Sequence, residues 1–328
     1  MATRTALITG ALGQDGGLLA ELLLSRGYRV IGVVRAEAPL RSEQLPSGMA
    51  FASLDLSDPV AVRSLLDRWR PDEAYHLAAF HHSSQDTSVG ATLASKEGMV
   101  RVNFLAAKTL AFALLEMRSD CHFVFASSSQ VFTAVEMSHT VNESSPRQPS
   151  SFYGHTKSWS MDLLTFLRRE SGLRASNAIL FNHESTRRGA QFVSRKITRA
   201  AAMAASGQRV QLELLNIGAR VDWSSACDVV QALGLMGTAE DPRDYVVASG
   251  QLHSVRDFLE LAFDRVGLDW TRFVSFQQDR TTPALVGNAQ ALEERLGWRR
   301  AVRFPDMVKE MVDHDLSLVT ANAKANAK

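Results

Sequence analysis

Along the first half of the chain, short apolar runs rich in β-branched residues alternate with longer segments whose leucines recur at helical spacing. That alternation predicts a parallel sheet covered by helices. Residues 5–9 read as a first strand and 13–26 as a loop and helix, with Leu18, Leu19, Leu22 and Leu23 on one face. Further strands are predicted at 29–34, 51–54, 73–77, 122–126 and 175–181, with helical periods at 60–70, 99–117 and 152–169 between them. Ser57-Asp58-Pro59 opens the helix at 60–70 with a capping side chain and a first-turn proline.

After Phe181 the texture changes. Residues 182–189 are polar and turn-rich, and 192–205 form a helix carrying Arg195, Lys196 and Arg199. A helix at 228–236 and a strand at 245–248 rejoin the sheet; helices at 255–266, 288–296 and 305–316 close the fold. The tail, 317–328, is polar, ends in repeated Ala-Asn-Ala-Lys and reads as frayed. The expected class is α/β. Residues 1–181 and 222–248 form a doubly wound parallel sheet that binds a dinucleotide, and 182–221 and 249–316 a smaller interleaved C-terminal substrate domain.

Composition narrows the partners. A formal charge of +1 gives no electrostatic footprint for nucleic acid. No apolar run was read as approaching the roughly 20 residues of a membrane span, so no membrane is expected. Cys121 and Cys227 form no CxxC pattern and suit free thiols in a reducing compartment. Met-Ala-Thr-Arg runs straight into the first strand, leaving no room for a signal peptide, so the expected location is cytoplasmic.

The first candidate chemistry is Gly10-Ala-Leu-Gly13-Gln14-Asp15-Gly16, a G-x-x-G-x-x-G spacing between a strand and a helix. Glycines permit a tight turn and close backbone approach, and the helix N-terminus attracts a pyrophosphate. A structural glycine turn would look similar, but the strand-to-helix context favours the dinucleotide. The end of the second strand holds Arg35 where an acidic residue would favour NAD. A cation there suits a 2′-phosphate and points to NADP, with NAD still compatible because Glu37 lies close by. Asp55 and Leu56 follow the third strand and could reach the adenine edge, although Asp55 equally suits a loop cap. Leu77, Ala78 and Ala79 offer small residues where the cofactor backbone would pass, or simple close packing.

The second constellation is Ser127-Ser128-Ser129-Gln130 at a strand end, with Tyr153 and Lys157 four apart on one helix face. A phenol beside a fixed ammonium has its ionised form favoured, so its pKa is expected to fall and it can take a proton from an alcohol. Ser128 would hold that oxygen while a hydride leaves for a nicotinamide. Ser127 and Ser129 also suit plain strand-end hydroxyls.

The glycine triplet, the serine cluster and Tyr-x-x-x-Lys together resemble the extended short-chain dehydrogenase/reductase family over nearly the whole chain, which implies a Rossmann fold. Leu180 to Gly189, Phe192 to Arg199, Ser254 to Glu260 and Leu296-Gly-Trp298 narrow the match: they resemble the GDP-mannose 4,6-dehydratase family. The resemblance makes Ser128, Tyr153 and Lys157 catalytic, with Lys157 on the nicotinamide ribose. It implies Asn182 and Lys196 on the sugar diphosphate, Arg256 and Arg280 on its phosphates, and Glu260 on a ribose hydroxyl. Ser129, Arg187, Asn216 and Arg220 join this substrate set, and a homo-oligomer is implied. Independently, Arg187, Arg188, Arg195, Lys196 and Arg199 are cations clustered past a sheet edge, where a diphosphate needs them. A solvated basic helix face would read the same way.

Three departures matter. Gln130 stands where the family has the Glu that removes the carbon-5 proton, and a neutral amide has no usable basicity. Val221-Asp222-Trp223-Ser224 replaces Arg-Asp-Trp-Gly, with Arg220 one place early. Ala79-Phe80-His81-His82 replaces Ala-Gln-Ser-His, so Phe80 and His81 alter the wall facing the sugar. His81 and His82 join the expected substrate contacts; they lack the further ligands a metal needs. An imidazole at His81 has the basicity to stand in for the missing carboxylate. The expected reaction is NADP-dependent oxidation of carbon 4 of a GDP-linked hexose followed by 4,6-dehydration. The alternatives are 4-epimerisation, 4-ketoreduction or 4-oxidation without carbon-5 deprotonation, or a catalytically silent nucleotide-sugar binder.

Overall fold

The computed structural model describes residues 3–35, 46–81, 92–117 and 120–326. The first half runs β1 (Thr5–Thr9), α1 (Gln14–Ser25), β2 (Arg29–Val34), β3 (Ala50–Ser53), α2 (Pro59–Trp69) and β4 (Glu73–His76). It continues through α3 (Leu93–Met99), a π-helical stretch (Val100–Leu105), α4 (Ala106–Glu116) and β5 (His122–Ala126). Next come β6 (His139–Val141), α5 (Phe152–Ser171), β7 (Ala175–Leu180), β8 (Asn182–Glu184), α6 (Val193–Ala205), β9 (Leu212–Asn216) and β10 (Arg220–Ser225). The chain closes with α7 (Ala226–Gly237), β11 (Tyr245–Val247), β12 (Leu252–Ser254), α8 (Val255–Asp264), β13 (Val274–Gln278), β14 (Leu285–Gly287), α9 (Gln290–Leu296) and α10 (Phe304–Asn326).

Seven strands build one parallel sheet in the order β11-β7-β5-β4-β1-β2-β3. Its strands are apolar on both faces because both are covered. On one face α2, α4 and α5 pack Leu65, Leu110 and Leu164 against Phe123 and Phe125; on the other, α1, α7 and α9 pack Leu19, Leu233 and Leu292 against Ile8 and Val124. Strand order reverses between β1 and β4, which opens a crevice at their C-terminal ends. Gly10 and Ala78 face each other across it, so close that a Cβ on Gly10 would lie 2.8 Å from the Ala78 backbone nitrogen.

A third apolar cluster joins α6, α8 and α10 around Trp223, Phe258 and Phe304. Beside it lie a three-stranded sheet, β12-β10-β8, and the pair β9–β13; β6 and β14 form a further pair. Most of these strands have only three residues, too few for a period-two pattern to stand out in the sequence. Asp222, buried in β10, accepts hydrogen bonds from the backbone of Ser249, Gly250 and Gly287 and from the Ser249 hydroxyl, and so pins three segments together.

Two expectations change. The single helix predicted at 99–117 is longer and interrupted: α3, the π-helical stretch and α4 run on from Leu93 to Glu116. By length and composition that run could cross a membrane, contrary to the expectation of no such segment. Here Ala107, Leu110, Ala111 and Leu114 pack it onto the sheet. The tail expected to fray is helical to Asn326: alanine at every second position from Ala321 favours extension of a helix already anchored by Met307, Val308 and Met311.

Candidate active site

Gly10 adopts φ +71°, and a Cβ on Gly16 would fall 2.3 Å from the Gly10 carbonyl oxygen. The turn therefore admits only glycine at these two positions. Gly13 caps α1 without a side-chain hydrogen bond, so the first-turn N–H groups have no side-chain capping acceptor. A cradle bare of Cβ atoms at an uncapped helix N-terminus fits a pyrophosphate. Arg35 is exposed at the end of β2. Leu56, Leu77 and Ala78 are half-buried and Ala79 exposed near the strand ends. Glu37 and His82 lie outside the described residues.

Gln14 and Asp15, expected on the cofactor, spend their side chains elsewhere. Gln14 donates to the His183 carbonyl (3.2 Å) and accepts from the Ser185 hydroxyl (2.8 Å). Asp15 pairs with His183 Nε2 at 2.9 Å. Asp55 likewise follows the capping alternative: its carboxylate accepts from the Ser57 backbone and hydroxyl and pairs with Arg101.

Tyr153 and Lys157 occupy the first turns of α5 because Ser151 caps the helix, accepting from the Gly154 N–H at 3.0 Å. Ser128, just past β5, accepts from the Gln130 N–H at 3.2 Å, and its hydroxyl favours the ionised form of the Tyr153 phenol. The structure thus brings Ser128, Tyr153 and Lys157 together as expected, but corrects the electrostatics. Lys157 Nζ is buried, donates to the Ala126 carbonyl at 2.8 Å and sits over the Phe125 ring. Burial brings its pKa down to about 7. The Tyr153 phenol does not fall: burial pushes it up to about 12, against the lowering influence of Ser128. In the free protein the phenol is protonated, and Lys157 is poised to lose its charge near neutrality.

Ser129 is buried beneath this group. Gln130 is exposed and linked on both sides: Ser151 Oγ donates to its carbonyl oxygen at 2.8 Å, and its amide nitrogen lies 3.2 Å from His81 Nε2. His81 stands edge-on to the Tyr153 ring, with centroids 4.5 Å apart, and parallel to Phe192 at 6.2 Å. Nothing local to His81 in the chain shows what holds it there. Asn103, in the π-helical stretch, accepts from the Phe80 N–H (2.8 Å) and donates to the Phe80 carbonyl and the Thr156 hydroxyl (3.1 Å each). A polar residue inside an otherwise apolar helical stripe was the available signal.

The predicted substrate residues divide. Backbone bonds from Ile217 to Gln278 and from Arg256 to Ile217 bring Asn216, Arg256 and Arg280 to one corner. Asn216 does not present its amide to a ligand, because that group holds the Arg280 backbone, accepting its N–H and donating to its carbonyl. Arg256 pairs with Asp279, a carboxylate that a phosphate would have to displace. Asn182 is exposed in β8, Arg220 is half-buried in β10, and Lys196 is half-buried on α6. Glu260 instead lines an open hollow of about 670 Å³ with Asp264, Leu268 and Trp270. The basic cluster is mostly committed to folding. Arg195 is buried against Asp315 (2.8 Å), Arg187 pairs with Glu21 on α1 (2.5 Å), and Arg188 pairs with Glu184 (3.1 Å) while covering Phe192.

A doubly wound sheet, a glycine cradle at its switch point and a Ser–Tyr–Lys set beside it define an extended short-chain dehydrogenase/reductase, an enzyme of the nucleotide-sugar dehydratase and epimerase class. The profile of the family described as GDP-mannose 4,6 dehydratase matches residues 7–311, and the chain belongs to that family. It is 36% identical over 330 residues to GDP-mannose 4,6 dehydratase 1 of Arabidopsis thaliana, covering 96% of this chain and 90% of the relative. Among solved structures it resembles UDP-glucose 4-epimerase from Thermotoga maritima with UDP-glucose, with TM-score 0.81, 21% identity and coverage of 96% and 99% of the two chains. It also resembles RMD from Pseudomonas aeruginosa complexed with NADPH, with TM-score 0.76, 22% identity and coverage of 96% and 100%.

Proposed function

We propose that the protein oxidises carbon 4 of a GDP-linked hexose, with NADP held in the glycine cradle, and completes a 4,6-dehydration to a 4-keto-6-deoxy sugar. The observation that carries this reading is the Ser128–Tyr153–Lys157 set beside the β1–β4 crevice, in a chain of this family. Bound there, a nicotinamide supplies the hydride acceptor. Tyr153 takes the hydroxyl proton as a phenolate, a form it reaches only after shedding its own proton with the cationic form of Lys157 alongside, and Ser128 holds the oxygen. Exposed Arg35 at the end of β2 supports NADP over NAD. The corner where Asn216 holds the Arg280 backbone beside Arg256 supports a diphosphate through the two guanidinium groups.

Gln130 favours a second reading. With no carboxylate at that position, the 4-keto sugar is instead re-reduced, giving 4-epimerisation, or released as the product of 4-oxidation; 4-ketoreduction is that same oxidation run in reverse on a 4-keto substrate. The test is incubation of the purified protein with GDP-mannose and either NADP or NAD, followed by mass analysis of the sugar. A product lighter by one water supports dehydration, and unchanged mass with inverted carbon 4 supports epimerisation. Failure to bind any nucleotide sugar sinks both.

A further inference from the structure

We infer that His81 takes the place of the missing carboxylate and exchanges the carbon-5 proton, with Gln130 as the positioning residue that holds it as a base. This rests on the proposed oxidation at carbon 4. The geometry comes first. The backbone before His81 is clamped by Asn103 on both the N–H and the carbonyl of Phe80. The imidazole is held between Tyr153 and Phe192. Carbon 5 is bonded to carbon 4, so a group edge-on to the phenol that works at carbon 4 stands within reach of the neighbouring carbon.

The hydrogen bonds set the state of the ring. Ser151 Oγ donates to the Gln130 carbonyl oxygen, which turns the amide nitrogen toward His81 Nε2. In that orientation the amide N–H donates to the Nε2 lone pair and so favours the neutral imidazole, and the C5–H of the bound sugar takes the place of that N–H when the proton moves. A glutamate at position 130 would do the reverse: it would attract a proton onto the ring and hold it as an imidazolium. The Glu-to-Gln change that removes the family's base therefore keeps a different base in working form.

The step balances as follows. The C5–H bond breaks, its proton passes to the imidazole, and its electron pair conjugates with the carbon-4 ketone. The C6–O bond then breaks, and the leaving hydroxyl takes the proton back from the imidazolium as water, leaving a 4-keto-5,6-ene. Return of the carbon-4 hydride to carbon 6 from the reduced nicotinamide needs one proton at carbon 5, which the imidazole relays from solvent.

The test uses the holoenzyme with GDP-mannose in deuterated water, reading deuterium at carbon 5 by NMR and reduced nicotinamide by absorbance. Wild type is expected to label carbon 5. His81→Ala is expected to form reduced nicotinamide, which reports a folded, loaded site, but to lose carbon-5 labelling by about 10²–10⁴-fold. His81→Ala combined with Gln130→Glu is expected to regain the label through the restored carboxylate. Undiminished labelling in His81→Ala overturns the role of His81 and leaves dehydration standing. Reduced nicotinamide in the wild type with no label overturns this inference and leaves oxidation at carbon 4 standing. Neither reduced nicotinamide nor carbon-5 label in the wild type overturns the functional reading itself, and this inference with it.

Discussion

Asp15 Oδ2 lies 2.9 Å from His183 Nε2, and His183 Nδ1 donates to the Phe181 carbonyl at 2.6 Å. Both ring nitrogens donate, so His183 is an imidazolium, and the cofactor loop is tied by a buried ion pair to β8. Burial opposes both charges, but the pair outweighs it: the His183 pKa rises and that of Asp15 falls. The raised histidine contributes stability fully below its unfolded value and loses it as pH climbs through the folded one. The depressed carboxylate contributes above its unfolded value and loses it as pH drops through the folded one. The pair therefore stabilises most between about pH 4 and 6.5. His183→Ala, which leaves the half-buried Asp15 carboxylate without its cation, is expected to cost about 1–3 kcal/mol in urea unfolding at pH 5.5. A pH–stability profile that Asp15→Asn leaves unaltered would contradict this account.

Neighbouring glycines should behave in opposite ways. A Cβ on Gly16 meets the Gly10 carbonyl and Ala11 Cα, both backbone, whereas a Cβ on Gly17 meets Arg187 Nη1, the end of a flexible side chain. Gly16→Ala should weaken dinucleotide binding about ten- to hundredfold, the equivalent of ~1–3 kcal/mol of overpacking. Gly17→Ala should bind normally, as calorimetric titration with NADP would show. Equal losses at both positions would mean that the cradle is not what limits binding.

Among the described residues no carboxylate pairs with the buried Lys157, and burial brings its pKa down from 10.5 to about 7. Between those values the unfolded chain binds a proton that the folded protein does not, so stability rises with pH across that window and the burial penalty is full below it. Lys157→Met should be more stable than wild type at pH 6 by about 2–5 kcal/mol, with the gap closing toward pH 10. It should also lose hydride transfer. Denaturant titrations at both pH values check this, and a gap independent of pH would refute it.

Asn103 fills a buried position where it bonds Phe80 and Thr156 at once. Asn103→Leu removes the acceptor of the Phe80 N–H, at a cost of about 1–3 kcal/mol, while the Thr156 hydroxyl keeps its bond to the Tyr153 carbonyl. It also releases the backbone that places His81. Steady-state kinetics should show kcat falling more than KM rises. A variant of lower stability but unaltered kcat would reduce Asn103 to a structural role.

Much of the site was legible in the sequence because its signals are local. The glycine spacing, the Tyr153–Lys157 interval and the Ser128 strand end each lie on a single element, and they meet in space as expected. The cations were harder. Arg195 and Lys196 are adjacent on one helix, yet only Arg195 is sealed against Asp315, a partner 120 residues away in the chain. Gln14 and Asp15 belong to a cofactor motif by position, but a strand nearly 170 residues on takes up their side chains. The expected fall of the Tyr153 pKa failed for a related reason: sequence spacing shows that a lysine is near, not that both groups are buried.

By itself the sequence determined the doubly wound sheet, the glycine turn and the meeting of Ser128, Tyr153 and Lys157, because helical and strand periods and motif spacings are properties of a few consecutive residues. Only the tertiary structure decided which polar groups satisfy one another. It set Gln130 against His81, Asp15 against His183 and Asn103 beneath Phe80, because partners far apart in the chain meet only where the packed layers bring them. Desolvation, which moves Lys157 and Tyr153 in opposite directions, depends on that packing and leaves no trace in residue order.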